Sequence, residues 1–123
     1  MRLLGELEER IMTILWRADA SMTVREVQAE LSSEPALAYT TVMTVMDRLR
    51  RKRLLHRRAR GRAFEYSPVV SEAEYTAELM HDLLRRTQDR SGALAHFVRG
   101  IKKGDEEELF RLAREASRRR AGR

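Results

Sequence analysis

Cysteine is absent from the 123 residues. That excludes a disulfide scaffold, a thiolate zinc site, an iron–sulfur cluster and a cysteine nucleophile. Long apolar runs are absent too, and no stretch approaches the roughly 18 residues needed to span a bilayer. Nor is a secretory signal visible, because Glu6, Glu8 and Glu9 stand where its apolar core would be required. Catalytic signatures are also missing: there is no GxxxxGKS/T, no GxSxG and no HExxH. The histidines, His56, His81 and His96, are scattered without metal-ligand spacing. No enzymatic activity, metal or cofactor is therefore expected, and the chain reads as a soluble, cytoplasmic protein. Internal repeats and low-complexity segments are lacking as well.

What the chain has is charge. Charged residues make up 36% and the formal net charge is +6, against roughly 25% charged in an average globular protein. The excess is confined. Residues 48–62 read RLRRKRLLHRRARGR, with nine Arg or Lys and no acid, while the other 108 residues carry 16 basic and 19 acidic side chains. A basic block on an otherwise slightly acidic protein reads as a footprint for a polyanion, the alternative being a solvated surface.

Apolar spacing predicts a helix over 6–18, with Leu7, Ile11, Ile14, Leu15 and Ala18 on one face. Residues 20–22 read as a connector. Thr23 and Glu26 form a capping-box pattern opening a second helix, which carries Val24, Val27 and Leu31 and stops by Ser32-Ser33 before Pro35. A third helix spans 40–52 with Val42, Val45, Met46 and Leu49 as its stripe and Thr40, Thr44, Asp47 and Arg51 opposite. A hairpin turning at Gly61 follows, with Leu55, Phe64 and Tyr66 on one face. Beyond Pro68 the character changes. Ser71 and Glu74 form a second capping box, opening a helix with Tyr75, Leu79, Met80, Leu83 and Leu84 on its apolar side. Gly92 precedes a helix bearing Leu94, Phe97, Val98 and Ile101. Gly104-Asp105 breaks it and caps a last helix with Leu109, Leu112, Ala113 and Ala116, followed by a frayed arginine tail.

The expected fold is mainly α with a small β-hairpin: a winged helix-turn-helix domain over 1–69, then a three-helix dimerisation region over 70–123. Three helices followed by a basic hairpin is the order of that fold, with the third helix entering the major groove. Thr40, Thr41 and Thr44 suit base edges, since Thr can donate, accept and touch a thymine methyl. Tyr39 stands at the helix start, in reach of a phosphate, and Met43 flanks the outer face. Arg48 and Arg51 are placed for phosphates, as are Arg58, Arg60 and Arg62 at the hairpin tip. Asp47 would repel a phosphate and is expected to pair with Arg48, Arg50 or Arg51. The three C-terminal helices are each short enough to be marginal alone. They are expected to pair with a second copy through Tyr75, Leu79, Leu83, Leu94, Phe97, Val98, Ile101 and Leu109. A twofold dimer would set two recognition helices about 34 Å apart on adjacent grooves.

The string AYTTVMTVMDRL at 38–49, with Glu6-Leu7-Glu8 and Ile14-Leu15-Trp16 upstream, resembles the penicillinase-repressor family of BlaI, MecI and CopY type. The resemblance implies a dimeric winged-helix repressor of operons for β-lactam resistance, copper handling or other stress. It maps the recognition helix onto 39–51, the wing onto 58–63 and the dimer onto the C-terminal helices. Copper-responsive relatives carry a C-terminal cysteine cluster, which this chain lacks. The β-lactam branch is cut at an Asn-Phe bond. The matching position here is His96-Phe97, so the resemblance does not extend to the asparagine. The function read from the sequence is a homodimeric repressor of a near-palindromic double-stranded DNA operator, and the sequence names neither an inducing protease nor an inducing ligand. The alternatives are an architectural or RNA-binding basic protein without an operator, and a dimeric module whose basic hairpin binds an acidic protein.

Overall fold

The computed structural model describes residues 4–18, 20–31 and 36–122. The element order is α1 (Glu6–Arg17), β1 (Met22–Thr23), α2 (Val24–Glu30), α3 (Tyr39–Arg51), β2 (Leu55–Arg60), β3 (Ala63–Pro68), α4 (Glu72–Arg86), α5 (Arg90–Gly100) and α6 (Lys103–Ala121). The stop expected at Ser32-Ser33 and Pro35 lies outside the described residues. Two compact units divide the chain, one running to His81 and the other starting at Asp82.

The first unit is built on the helical stripes. Ile11, Met12 and Leu15 of α1, Val27 of α2, and Val42, Met46 and Leu49 of α3 are buried together with Leu54, Leu55 and Tyr66. Both capping boxes form as the sequence implies. The Glu26 N–H donates to Thr23 Oγ1 at 3.2 Å and the Thr23 N–H to Glu26 Oε1 at 3.0 Å. Ser71 and Glu74 exchange the same pair of bonds at 3.1 and 3.2 Å. Trp16 Nε1 donates to the Val70 carbonyl at 3.0 Å, and its ring lies 5.5 Å from that of Tyr75. These contacts fix the start of α4 to the end of α1. Glu8 is buried, and Lys52 Nζ donates to its Oε2 at 2.7 Å, tying α1 to the end of α3. Burial pushes the Glu8 carboxyl up, but the Lys52 and Gly5 hydrogen bonds and the charges of Lys52 and Arg48 outweigh it and hold the group below its ordinary value.

The sheet has three antiparallel strands in the order β1-β3-β2. The residues read as a connector supply the extra strand: Met22 pairs with Tyr66 and Thr23 with Glu65. Two residues are too few to show alternation, so only tertiary pairing defines this strand. The hairpin forms as expected. Arg60 faces Ala63 across a two-residue turn in which Gly61 takes φ 61° at the first central position, the place where a type II′ turn favours glycine. Leu55 and Tyr66 are buried, but Phe64 is 43% exposed because the strand has left the core by that point. The Arg57 guanidinium covers its ring at 4.0 Å.

α3 ends in a Schellman motif. The Leu54 N–H donates to the Leu49 carbonyl and the Arg53 N–H to that of Arg50, both at 3.0 Å, and Leu49 and Leu54 are buried. The motif places Arg53 at φ 65°, the left-handed region that costs a side chain but not glycine. Arg53→Gly is expected to stabilise the first unit by about 0.5–1 kcal/mol, net of the greater unfolded-state freedom of glycine. Chemical denaturation checks this, and a destabilised variant would show that Arg53 makes contacts outweighing its backbone.

Three expectations for the second unit are corrected. α5 starts before Gly92: the Asp89 carboxylate caps it, accepting from the Gly92 N–H at 3.0 Å, and Ile101 is its C-cap. Gly104 does not break a helix but lies in the first turn of α6, where backbone N–H groups lack intrahelical partners and glycine costs little. Arg118, Arg119 and Arg120 are helical rather than frayed, as positive charge at a helix C-terminus favours.

Candidate nucleic-acid interface

α3 and the β2–β3 wing enclose a cleft of about 820 Å³. Tyr39, Met43, Thr44, Arg48 and Arg51 line it from the helix, and Arg57, Arg62 and Phe64 from the wing. The helix enters this position under control. Gln28 Nε2 donates to the Leu37 carbonyl at 2.9 Å, anchoring the approach to α3 on α2. Arg25 of α2 stacks over the Tyr39 ring at 4.8 Å. Ala38, the N-cap, offers no side-chain acceptor, so the first-turn amides are not occupied by a cap.

Of the residues singled out in the sequence, Tyr39, Met43, Thr44, Arg48, Arg51 and Arg62 come together here. Thr40 and Thr41 are exposed on the first turn of α3, beside the cleft lining rather than within it. Arg58 and Arg60 project from the other face of the hairpin. The strand alternates, so β2 sends 55, 57 and 59 to the cleft side and 56, 58 and 60 to the outer side. Arg60 Nε accordingly pairs with Glu65 at 3.5 Å, and Ser67 Oγ and His56 Nε2 share a hydrogen bond at 2.9 Å on that same face. Arg57, which also lines the cleft, is not among the residues that the sequence singles out. The signal for it was the period of two counted from buried Leu55. Tyr75, placed in the dimer interface from its helical face, is buried in the first unit instead, and Leu79 packs against the same core.

Asp47 lies at the centre of the basic side of the cleft. Arg50 donates to its Oδ1 through Nε at 3.1 Å and Nη2 at 2.8 Å. Arg51 Nη2 lies 2.8 Å from Oδ2 and Arg57 Nη1 3.8 Å from Oδ1. The Arg50 hydrogen bonds, and after them the charges of Arg51, Arg50 and Arg57, outweigh desolvation and hold the carboxyl below its ordinary value. Thr44 Oγ1 donates to the Thr40 carbonyl at 2.8 Å, which commits its proton within the helix and leaves oxygen lone pairs facing out. Among the described residues no group of three or more His, Cys, Asp or Glu could hold a metal ion, and no helix is long and apolar enough to cross a membrane.

A basic helix beside a β-hairpin wing on a three-stranded sheet has counterparts among known proteins. Residues 4–115 match the profile of the family described as penicillinase repressor. The chain belongs to the penicillinase repressor family. The transcriptional regulator BlaI of Mycobacterium tuberculosis is 42% identical over 113 residues, which cover 89% of this chain and 81% of that protein. The penicillinase repressor of Bacillus licheniformis is 30% identical over 83 residues, 68% of this chain and 64% of that one. The solution structure of the DNA-binding domain of the repressor BlaI superposes with a TM-score of 0.51 at 30% identity, covering 58% of this chain and 87% of that one. A MarR family protein from Bacillus stearothermophilus shares the fold at 15% identity, with a TM-score of 0.50 over 98% of this chain and 77% of its own. The penicillinase repressor family is one of regulators rather than enzymes, and the winged-helix architecture read from the sequence is the one observed.

Proposed function

We propose that this penicillinase repressor family member is a cytoplasmic, dimeric transcriptional repressor. In this reading it binds a near-palindromic DNA operator through α3 and the β2–β3 wing. The cleft carries the reading: Thr44 of α3, with Tyr39 and Met43, faces the same space as arginines from the helix's C-terminal end and from the wing, and Thr40 and Thr41 are exposed beside it. Short groups suit base edges and the arginines suit phosphates on either side. The relative whose DNA-binding domain superposes here is itself named a repressor. On this reading residues 1–69 form the DNA-binding domain and 70–123 the dimerisation domain, with the first turns of α4 packed back onto the former. α5 and α6 bury no residue, and Leu94, Phe97, Val98, Leu109, Phe110 and Leu112 are all exposed in the single chain. So much exposed apolar surface on α5 and α6 is accounted for by a second copy. Footprinting on genomic DNA tests the function: a repressor prefers its site by roughly 10³–10⁷ over random duplex, whereas an architectural or RNA-binding protein shows no such ratio.

The Thr44 geometry sharpens the prediction for base reading. With its proton on the Thr40 carbonyl, the hydroxyl can only accept, which directs it to the exocyclic amino group of adenine or cytosine in the major groove. Thr44→Val keeps the shape and removes the acceptor. The expected loss is about 1–3 kcal/mol on the operator, with little change on random DNA. Titration of both duplexes measures this, and equal losses would reassign Thr44 to the backbone.

A further inference from the structure

We propose that Asp47 is a specificity-determining positioning residue: its carboxylate, gripped by Arg50 and Arg51 of α3 and approached by Arg57 of the wing, orients these guanidinium groups and blunts their attraction for the phosphates of unselected DNA. The inference rests on the operator-binding reading above.

An acid facing a polyanion needs an explanation. Asp47 stands on the outer side of α3, one turn from Thr44 and immediately before a block of nine basic residues. Its side chain is only 24% exposed because guanidinium groups cover it. The contacts join two elements. Arg57 lies on β2, stacks on Phe64 at 4.0 Å, has Nη1 3.5 Å from the Tyr66 hydroxyl oxygen, and extends the same nitrogen to within 3.8 Å of Asp47 Oδ1. The carboxylate therefore links recognition helix and wing across the cleft.

Two physical effects follow. Without the carboxylate, three guanidinium groups would repel one another and sample many rotamers. With it, they are set before DNA arrives, so less side-chain freedom is lost on binding. The second effect is charge. Random DNA offers mainly phosphates, and each must share these arginines with an anion already in place. The penalty is unequal: on an operator, base contacts supply part of the binding and the arginines can stay on Asp47, whereas random DNA is held by phosphates alone and must draw them off it. The carboxylate thus separates the two affinities, and like-charge juxtaposition acts against the wrong partner.

The test uses the full chain and two probes: a duplex enriched from a randomised library by the wild-type protein, and a shuffled duplex of equal length. Affinities are measured over a salt series for the wild type, Asp47→Asn, Asp47→Ala and Asp47→Glu, with thermal unfolding of each. Alanine restores helix propensity at this position, which guards against a folding defect in the asparagine variant. Both neutral variants are expected to bind the shuffled duplex more tightly and to lower the selected-to-shuffled ratio about tenfold. The salt slope should steepen by about 0.9 per protomer as a released guanidinium takes a further phosphate. Asp47→Glu keeps the charge and should retain the wild-type slope. A ratio within twofold of wild type, or equal weakening on both duplexes, overturns the role assigned to Asp47 while leaving operator binding intact. Failure of the wild type to enrich any duplex overturns the operator reading itself, and this inference with it.

Discussion

If α5 pairs two copies as proposed, Phe97→Ala is expected to yield a monomer that grips DNA poorly. Phe97 lies on α5 next to Val98 and one turn from Leu94, and it is 52% exposed in the single chain. A side chain so exposed contributes little to the fold of its own protomer, so the loss should fall on the partner contact. Truncating a buried Phe typically costs about 3–5 kcal/mol, and a twofold axis removes the ring from both sides. Even one such loss weakens pairing from about a hundredfold to several thousandfold. Each monomer then holds one half-site without the gain in effective concentration that linkage supplies. The first unit should keep its thermal transition, since its core of Ile11, Met46, Leu49, Leu55 and Tyr66 includes nothing from α5. Sedimentation together with operator titration decides the matter. A variant that stays dimeric, or one that is monomeric yet binds like the wild type, refutes the coupling of pairing to repression.

Salt should weaken binding steeply. With nine basic residues in one block per protomer, a dimer neutralising about 8 phosphates gives a log–log slope near −7. That slope predicts a loss on the order of 10⁴ in affinity between 50 and 200 mM salt. Arg62, at the tip of the wing and in the cleft lining, is expected to contribute to both specific and random binding. Arg62→Ala should therefore weaken operator and shuffled DNA alike, since phosphate contacts position without specifying. Fluorescence anisotropy over a salt series measures the slope, and a value shallower than about −2 would falsify the electrostatic account.

The sequence by itself determined the helices of the first unit, both capping boxes, the hairpin turn at Gly61 and the confinement of positive charge to one block. These features are local. Helical stripes repeat within a few residues, a capping box closes over four, and a glycine turn needs only its own backbone freedom. Tertiary structure decided what depends on partners far along the chain. β1 exists only because Tyr66 and Glu65 pair with Met22 and Thr23. Tyr75 shows the helical face expected of an interface residue, but Trp16 draws it into the core of the first unit. The sequence showed which arginines are available but not which side of the sheet each takes. The register that buries Leu55 and Tyr66 sends Arg57 into the cleft and turns Arg58 and Arg60 away from it. Asp47 was legible as a partner for neighbouring arginines on its own helix. Its third partner, Arg57, comes from a different element, and only the packing of the wing against α3 brings the two charges together.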